Sequence, residues 1–233
     1  MVDLSQLYEN CVYSSIAHAI YVLREPFFSA EQSWDGMNYS YNSFSGTYGT
    51  ISFDLSAGIA VGAFRDDHSP FVERYPGFKA IELFAQAPEY VRRFAENEAI
   101  QYLFDERDGV TQPMATAAFW CVGGEVTYSG SREEFEKNGG EYLFAISVSH
   151  DELRDFWQEQ YGLSGEELSA VDLIFERFTA CKSVKLDEVP VIKQKRDEAT
   201  SKKRSLFKKR REETKNGYEE CLTSLGELGI VIE

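Results

Sequence analysis

The chain has 233 residues, of which 43% are hydrophobic and 14% aromatic, and its formal net charge is −15 at pH 7. This composition supplies a substantial apolar core and excludes an intrinsically disordered chain. The N-terminus lacks the basic and apolar blocks of a secretory signal, and no window approaches 18 uninterrupted apolar residues. We therefore expect a cytoplasmic protein that does not enter a membrane.

The first half of the chain predicts a helix, three strands and a second helix. Residues 4–24 form the first helix, because apolar side chains recur around most of its circumference. Between residues 37 and 55, apolar and polar side chains alternate on either side of a Ser-Phe-Ser-Gly turn, which predicts a β-hairpin. Residues 59–65 are apolar on both faces and predict an interior strand. Residues 88–104 predict a helix with a proline in its first turn.

The second half of the chain predicts two more buried strands and several helices. The apolar segments 116–122 and 142–148 are expected to be strands. Ser-x-x-Glu motifs at 131–134, 149–152 and 164–167 each predict a helix start, because serine and glutamate cap each other's backbone amides there. This order favours an α+β fold, a largely antiparallel sheet with helices packed on one face.

Charge divides the chain unevenly. Residues 1–192 hold 13 Lys and Arg against 31 Asp and Glu, whereas residues 193–215 hold 11 against four. We therefore predict an acidic α+β globular domain over 1–190 and a basic helical arm with an apolar C-terminal end over 191–233. The candidate binding residues of this long basic helix are Lys202, Lys203, Arg204, Lys208, Lys209, Arg210 and Arg211.

Three interpretations of the arm compete. It could be a solvated helix stabilised by its own ion pairs. It could also lie on the acidic domain, or self-associate through a seam of Ile192, Ala199 and Leu206 at seven-residue spacing. Contact with nucleic acid is the third, and the strongly negative remainder of the chain argues against it, because it repels a polyanion.

The hairpin region also carries a candidate recognition patch. Six aromatic side chains fall within residues 33–54, and alternation places three of them, Tyr39, Tyr41 and Phe53, on the inward face. The other aromatics, with nearby amide and acidic side chains, are expected to point outward, as in protein interfaces. The predicted partner-binding residues are Trp34, Asp35, Asn38, Asn42, Phe44 and Tyr48.

Catalytic and cofactor signatures are weak. Cys11 follows polar residues early in a helix, an arrangement that loosely suggests a thiol hydrolase. His18, the nearest candidate base, lies about 10.5 Å further along that helix, so burial is the favoured role for Cys11. The acidic segments 65–71 and 105–109 lack the spacing of metal ligands, and no phosphate-binding loop occurs. We expect neither a bound metal nor a cofactor.

The leading functional hypothesis is a cytoplasmic, non-catalytic protein–protein interaction protein. Its acidic domain would engage a basic protein partner, for example by neutralising it as an immunity protein or an antitoxin does. Opposite charge would speed that encounter and favour the correct partner. The alternatives are a regulator that contacts nucleic acid through the basic arm, and a thiol hydrolase that uses Cys11.

Overall fold

A computed structural model describes residues 3–206 and 216–233 of the chain, without the side chains of 202–206. The chain forms two compact units, each built from two segments. The sheet unit comprises Met1–Cys11 and Trp34–Ser149, and the helical unit comprises Val12–Ser33 and His150–Glu233. The domain boundary expected at residue 190 rests on charge and stays a prediction.

The strands of the sheet unit form one large antiparallel sheet and a separate two-stranded hairpin. The large sheet has the order β1-β2-β3-β4-β7-β8, and β5 pairs with β6. The bounds are Gln32–Asp35 for β1, Asn38–Asn42 for β2, Thr47–Asp54 for β3, Ile59–Asp66 for β4, Phe104–Arg107 for β5, Val110–Pro113 for β6, Ala117–Val122 for β7 and Glu125–Tyr128 for β8.

The predicted hairpin is confirmed, but burial does not alternate along it, since both faces of β3 are buried from Gly49 to Phe53. Strands β2 and β3 form the expected hairpin, and Asn42 lies opposite Tyr48 next to its turn. Strand β4 lies between β3 and β7 and is buried along most of its length, which explains why it is apolar on both faces. Gly62 is required there, because an added Cβ would lie 2.1 Å from the Phe119 ring.

The predicted α+β class is confirmed, but helices cover both faces of the sheet rather than one. Val61 and Trp120 lie on one face, in a cluster with Val91 and other residues of the chain from 80 to 103. On the opposite face, Phe119 packs against Phe135. The helices of the sheet unit are Glu89–Asn97 (α2), Arg132–Phe135 (α3) and Glu141–Ile146 (α4), together with the first residues of α1, Leu4–Val22.

Two predictions in this unit are wrong. The helix expected over 88–104 ends at Asn97, because Glu98 leaves the helical region with φ −121° and ψ −87°, and a 3-10 helix follows at Ala99–Tyr102. The segment 142–148, expected to be a strand, instead contributes to α4. A short apolar run fits either a buried strand or a buried helix, and here tertiary packing selects the helix.

The helical unit is built around amphipathic helices. The helix start predicted at 164–167 is confirmed, since Ser164 forms the expected reciprocal cap with Glu167, and the helix buries Leu168, Val171, Ile174 and Phe178 along one face. The bounds are His150–Tyr161 for α5, Gly165–Ala180 for α6, Ser183–Val184 for β9, Pro190–Leu206 for α7, Gly217–Glu227 for α8 and Val231–Ile232 for β10.

The C-terminal end of the chain is held by the helical unit. Strand β10 pairs in parallel with β9, which ties the apolar C-terminal residues to the rest of this unit. Ile192, the first residue of the proposed self-association seam, is buried in its own chain and is not available to a second copy. The candidate residues Lys208, Lys209, Arg210 and Arg211 lie outside the described residues. Lys202, Lys203 and Arg204 lie in α7, but their side chains are outside the described part of the structure.

Candidate functional site

A cleft of about 660 Å³ opens at one end of the sheet, within the sheet unit. The turn between β1 and β2 forms one wall, the end of β3 a second, and α2 with the residues that follow it a third. No lysine or arginine is among the described residues that line it. Its lining combines carboxylate and apolar side chains: Asp35, Asp54 and Glu98, with Met37, Leu55 and Phe94.

A directed chain of hydrogen bonds lies in this cleft. The side-chain amide of Asn38 donates to Oε2 of Glu98 at 2.9 Å and to the hydroxyl of Tyr102 at 3.0 Å. The same hydroxyl donates in turn to Oδ2 of Asp35 at 2.8 Å. The amide orientation follows from these bonds, because the reverse orientation would direct the Asn38 oxygen at a carboxylate.

The four side chains use all their donors in these hydrogen bonds, and the atoms that remain unpaired are acceptors. Both amide hydrogens of Asn38 and the hydroxyl hydrogen of Tyr102 are used inside the cleft. Oδ1 of Asp35 and Oε1 of Glu98 have no hydrogen-bond partner within the described part of the chain. Because these four side chains keep only acceptor atoms unpaired, a cation with several N–H donors is their chemical complement.

The protonation states agree with this description. Burial, together with the hydrogen bond to Asp35, raises the pKa of Tyr102 to about 12, so its hydroxyl keeps its proton near neutral pH. Hydrogen bonds from Ser56 and from the backbone amide of Ala57 lower the pKa of Asp54. Asp54 is therefore ionised throughout the physiological pH range.

The structure places the predicted recognition patch in two separate locations and corrects part of it. Asp35 and Asn38 lie together in the cleft. Asn38 is only 7% exposed, because the chain after α2 covers the polar face that was expected to point outward.

The burial of Trp34 also contradicts the predicted patch, because a side chain expected to point outward is only 7% exposed. Its ring lies edge-on to Tyr8, with centroids 5.7 Å apart, and packs beside Phe53 at 6.2 Å. Trp34 therefore belongs to the core, where its aromatic neighbours keep it from an outward-facing surface.

The remaining patch residues lie at the turn between β2 and β3. Oδ1 of Asn42 accepts a hydrogen bond from the backbone amide of Phe44 at 2.8 Å, and Phe44 has a φ of 55° with its ring half exposed. The ring of Tyr48 lies 5.4 Å from the guanidinium of Arg65. These side chains do not line the cleft, and their proposed role in binding stays a prediction.

Sequence reasoning missed Glu98 and Tyr102, although both complete the cleft. They are spaced i and i+4, which would place them on one face of the helix expected there. That spacing was the available signal, but their approach to Asp35 depends on the tertiary fold.

Cys11 does not have the environment of a catalytic thiol. Its side chain is completely buried, and burial raises its pKa well above the ordinary value. A nucleophilic cysteine requires the opposite, an accessible thiolate favoured by positive charge nearby.

The two acidic segments considered as metal ligands lie together, but around a cation of the protein itself. Nε of Arg65 lies 2.6 Å from Oδ1 of Asp67, and Arg65 also forms an ion pair with Asp105. In the part of the chain that the structure describes, no group of three or more histidine, cysteine or acidic side chains could hold a metal ion.

Comparison with protein-family models, with curated proteins and with solved structures finds no match for this chain. Among the described helices, none combines the length and the apolar character needed to cross a membrane. Function therefore has to be inferred from the cleft and from the distribution of charge.

Proposed function

We propose that this protein binds a basic protein partner, and that the cleft between the β1–β2 turn and the chain after α2 receives a cationic side chain of that partner. The surplus of acceptors in the cleft supports this proposal most directly. Asp35 and Glu98 each keep a carboxylate oxygen with no partner among the described residues, while every donor between them is used. A guanidinium or an ammonium group would supply the missing donors.

The charge of the sheet unit supports the same partner chemistry. Its sequence holds 8 Lys and Arg against 19 Asp and Glu, a net charge of −11, whereas the helical unit holds 16 against 20, a net charge of −4. A field of this sign attracts cationic partners and increases the rate of encounter, and salt weakens both effects.

The apolar lining of the cleft supports recognition of a long side chain. Met37 is 38% exposed and Leu55 43% exposed, and both line the cleft with Phe94. An arginine or lysine can bury its aliphatic stem against such side chains while its charged end reaches the carboxylates. Exposed apolar area beside fixed charges is also a feature of protein-binding surfaces.

The proposed role is non-catalytic and cytoplasmic. The protein would occlude the working surface of its basic partner, in the manner of an immunity protein or an antitoxin. The burial and raised pKa of Cys11 favour binding over thiol chemistry. All four cysteines are free thiols, which suits a reducing compartment.

Affinity capture with matched variants tests this function. Wild type, the double variant D35N/E98Q and the control E106Q/E136Q are immobilised, and recovered proteins are identified by mass spectrometry. The control removes the same number of charges from exposed positions outside the cleft. We expect a basic protein to bind wild type and control but to be lost from the cleft variant. Recovery of no protein partner by wild type, or equal recovery by all three, would contradict the proposal.

A further inference from the structure

Strand β8 ends the large sheet, and no strand among the described residues pairs with its outer side. It is joined to β7 by a two-residue hairpin in which Gly123 has a φ of 58° and Gly124 a φ of 83°. Two positive φ values identify a type I′ turn, in which the flanking residues Val122 and Glu125 exchange hydrogen bonds.

That turn fixes which backbone groups of β8 face outward. Because hydrogen-bonded and non-hydrogen-bonded pairs alternate along an antiparallel ladder, Val126 and Tyr128 direct their N–H and C=O groups away from β7. The carbonyl of Tyr128 accepts a hydrogen bond from the amide of Gly130 at 2.9 Å. The outward groups of Val126 and the amide of Tyr128 have no partner in the described part of the chain.

A groove of about 750 Å³ runs beside this edge. Val126 and Tyr128 line it from β8, and Leu143 and Phe144 line it from α4. Oγ of Ser147, a further lining residue, is buried and has no hydrogen-bond partner among the described residues. An unpaired edge beside a partly apolar groove is the arrangement used for strand addition, in which backbone bonds give affinity and the groove receives alternate side chains.

We propose that β8 pairs with β8 of a second copy of this chain, in antiparallel orientation about a two-fold axis at Thr127. This register places Val126 opposite Tyr128 of the second copy, so that the outward groups of both strands meet in hydrogen-bonded pairs on either side of the axis. The interface is self-complementary, as two-fold symmetry requires.

The charges on this edge fit the same register. Apart from Tyr128, Glu125 is the only ionisable side chain of β8. The register places Glu125 opposite Ser129 of the second copy, close to Arg132 of that copy. The two Glu125 residues are then about 14 Å apart along the strands, beyond the Debye length at moderate salt. The guanidinium of Arg132 lies 4.3 Å from the ring centroid of Phe144, beside the same groove.

A disulfide trap tests this arrangement. Thr127 would lie opposite Thr127 of the second copy in a non-hydrogen-bonded pair, where the two Cα atoms approach about 4.5 Å. In a C181S background, which removes the exposed native thiol, we expect T127C to oxidise to a covalent dimer and T111C on β6 to remain a monomer. An equal yield of dimer from both variants, or a dimer from neither, would overturn the proposal.

Sedimentation of the unmodified chain gives an independent second test. The net charge of −15 repels a second copy, so we expect the dimer to strengthen as salt rises from about 0.05 to about 0.5 M.

V126P removes one outward amide without removing a bond to β7 and should give a monomer, whereas V126T should remain dimeric. If V126P loses its native circular dichroism, it is unfolded, and the disulfide trap then tests the proposal in its place. A wild-type monomer at every salt concentration contradicts the proposal, which is independent of the cleft.

Discussion

Nε2 of His18 donates a hydrogen bond to the backbone carbonyl of Phe28 at 2.9 Å, although the His18 side chain is completely buried. The other ring nitrogen, Nδ1, has no hydrogen-bond partner among the described residues. Burial lowers the pKa of His18 to about 4, and the bond to Phe28 only partly opposes this shift. The imidazole is therefore neutral in the folded protein at physiological pH, with its proton on Nε2.

This burial predicts a loss of stability in acid. The unfolded chain binds a proton at His18 below about pH 6.5, and the folded chain does so only below about pH 4. The contribution of His18 is therefore fully present above pH 6.5 and is lost as the pH falls from there towards 4, by about 3 kcal/mol. Urea unfolding of wild type and H18Q at several pH values measures this loss of stability. H18Q should lose less stability between pH 6.5 and 4 than wild type, and equal losses would contradict the assignment.

Glu31 predicts a pH dependence of the opposite sign. Burial raises its pKa from 4.5 to about 7, although a hydrogen bond with Tyr161 acts against the shift. The folded state therefore holds this proton more tightly, and its stabilisation is present below pH 4.5 and lost as the pH rises through 7. E31Q should be more stable than wild type at pH 8 and gain nothing at pH 5. The same change in unfolding free energy at both pH values would show that Glu31 is not the titrating group.

Close packing at the centre of the sheet predicts a large effect from one methyl group. The added Cβ of G62A would lie 2.1 Å from Cε1 of Phe119, and both residues are on central strands. We expect a loss of about 1–3 kcal/mol in the free energy of unfolding. G226A on α8 is the matched control, because nothing lies within 4 Å of its added Cβ, and a helical alanine should stabilise by about 0.5–1 kcal/mol. Similar changes for both variants would contradict the described packing.

A buried polar network near α3 predicts non-additive mutations. The amide of Asn138 donates to the carbonyl of Glu134 at 2.6 Å, and its Oδ1 accepts from Ser69 at 2.6 Å. N138A would leave the Ser69 hydroxyl without this partner, at a cost of about 1–3 kcal/mol. The double variant S69A/N138A should lose less than the sum of the single variants in chemical denaturation. Strictly additive losses would show that the two side chains are not coupled.

Much of the fold was predictable where one local signal dominated. The alternation of apolar and polar residues in the sequence located β2 and β3, although both faces of β3 are buried from Gly49 to Phe53 and burial itself does not alternate there. The serine–glutamate pair at 164–167 located the start of α6, because both partners of the cap are local in sequence. The segment forming α4 was misassigned because its apolar residues carry no period that separates a helix from a strand.

The candidate site was only half predictable, since it joins residues distant in sequence. Asp35 and Asn38 were predicted as binding residues of one outward-facing patch, and the structure brings them together in the cleft. Glu98 and Tyr102 reach them only because α2 stops at Asn97, and no local signal marked that end. Trp34 was misplaced for the same reason, since its core neighbour Tyr8 comes from another part of the chain.

Titration of the ¹⁵N-labelled protein with a short arginine peptide tests the central claim most directly. The control peptide carries citrulline, which keeps the shape of arginine and removes its charge. We predict that arginine alone shifts the side-chain amide resonances of Asn38, and that this response disappears in D35N/E98Q but persists in E106Q/E136Q. Equal shifts with both peptides, or an unchanged response in the cleft variant, would contradict a cation-binding cleft.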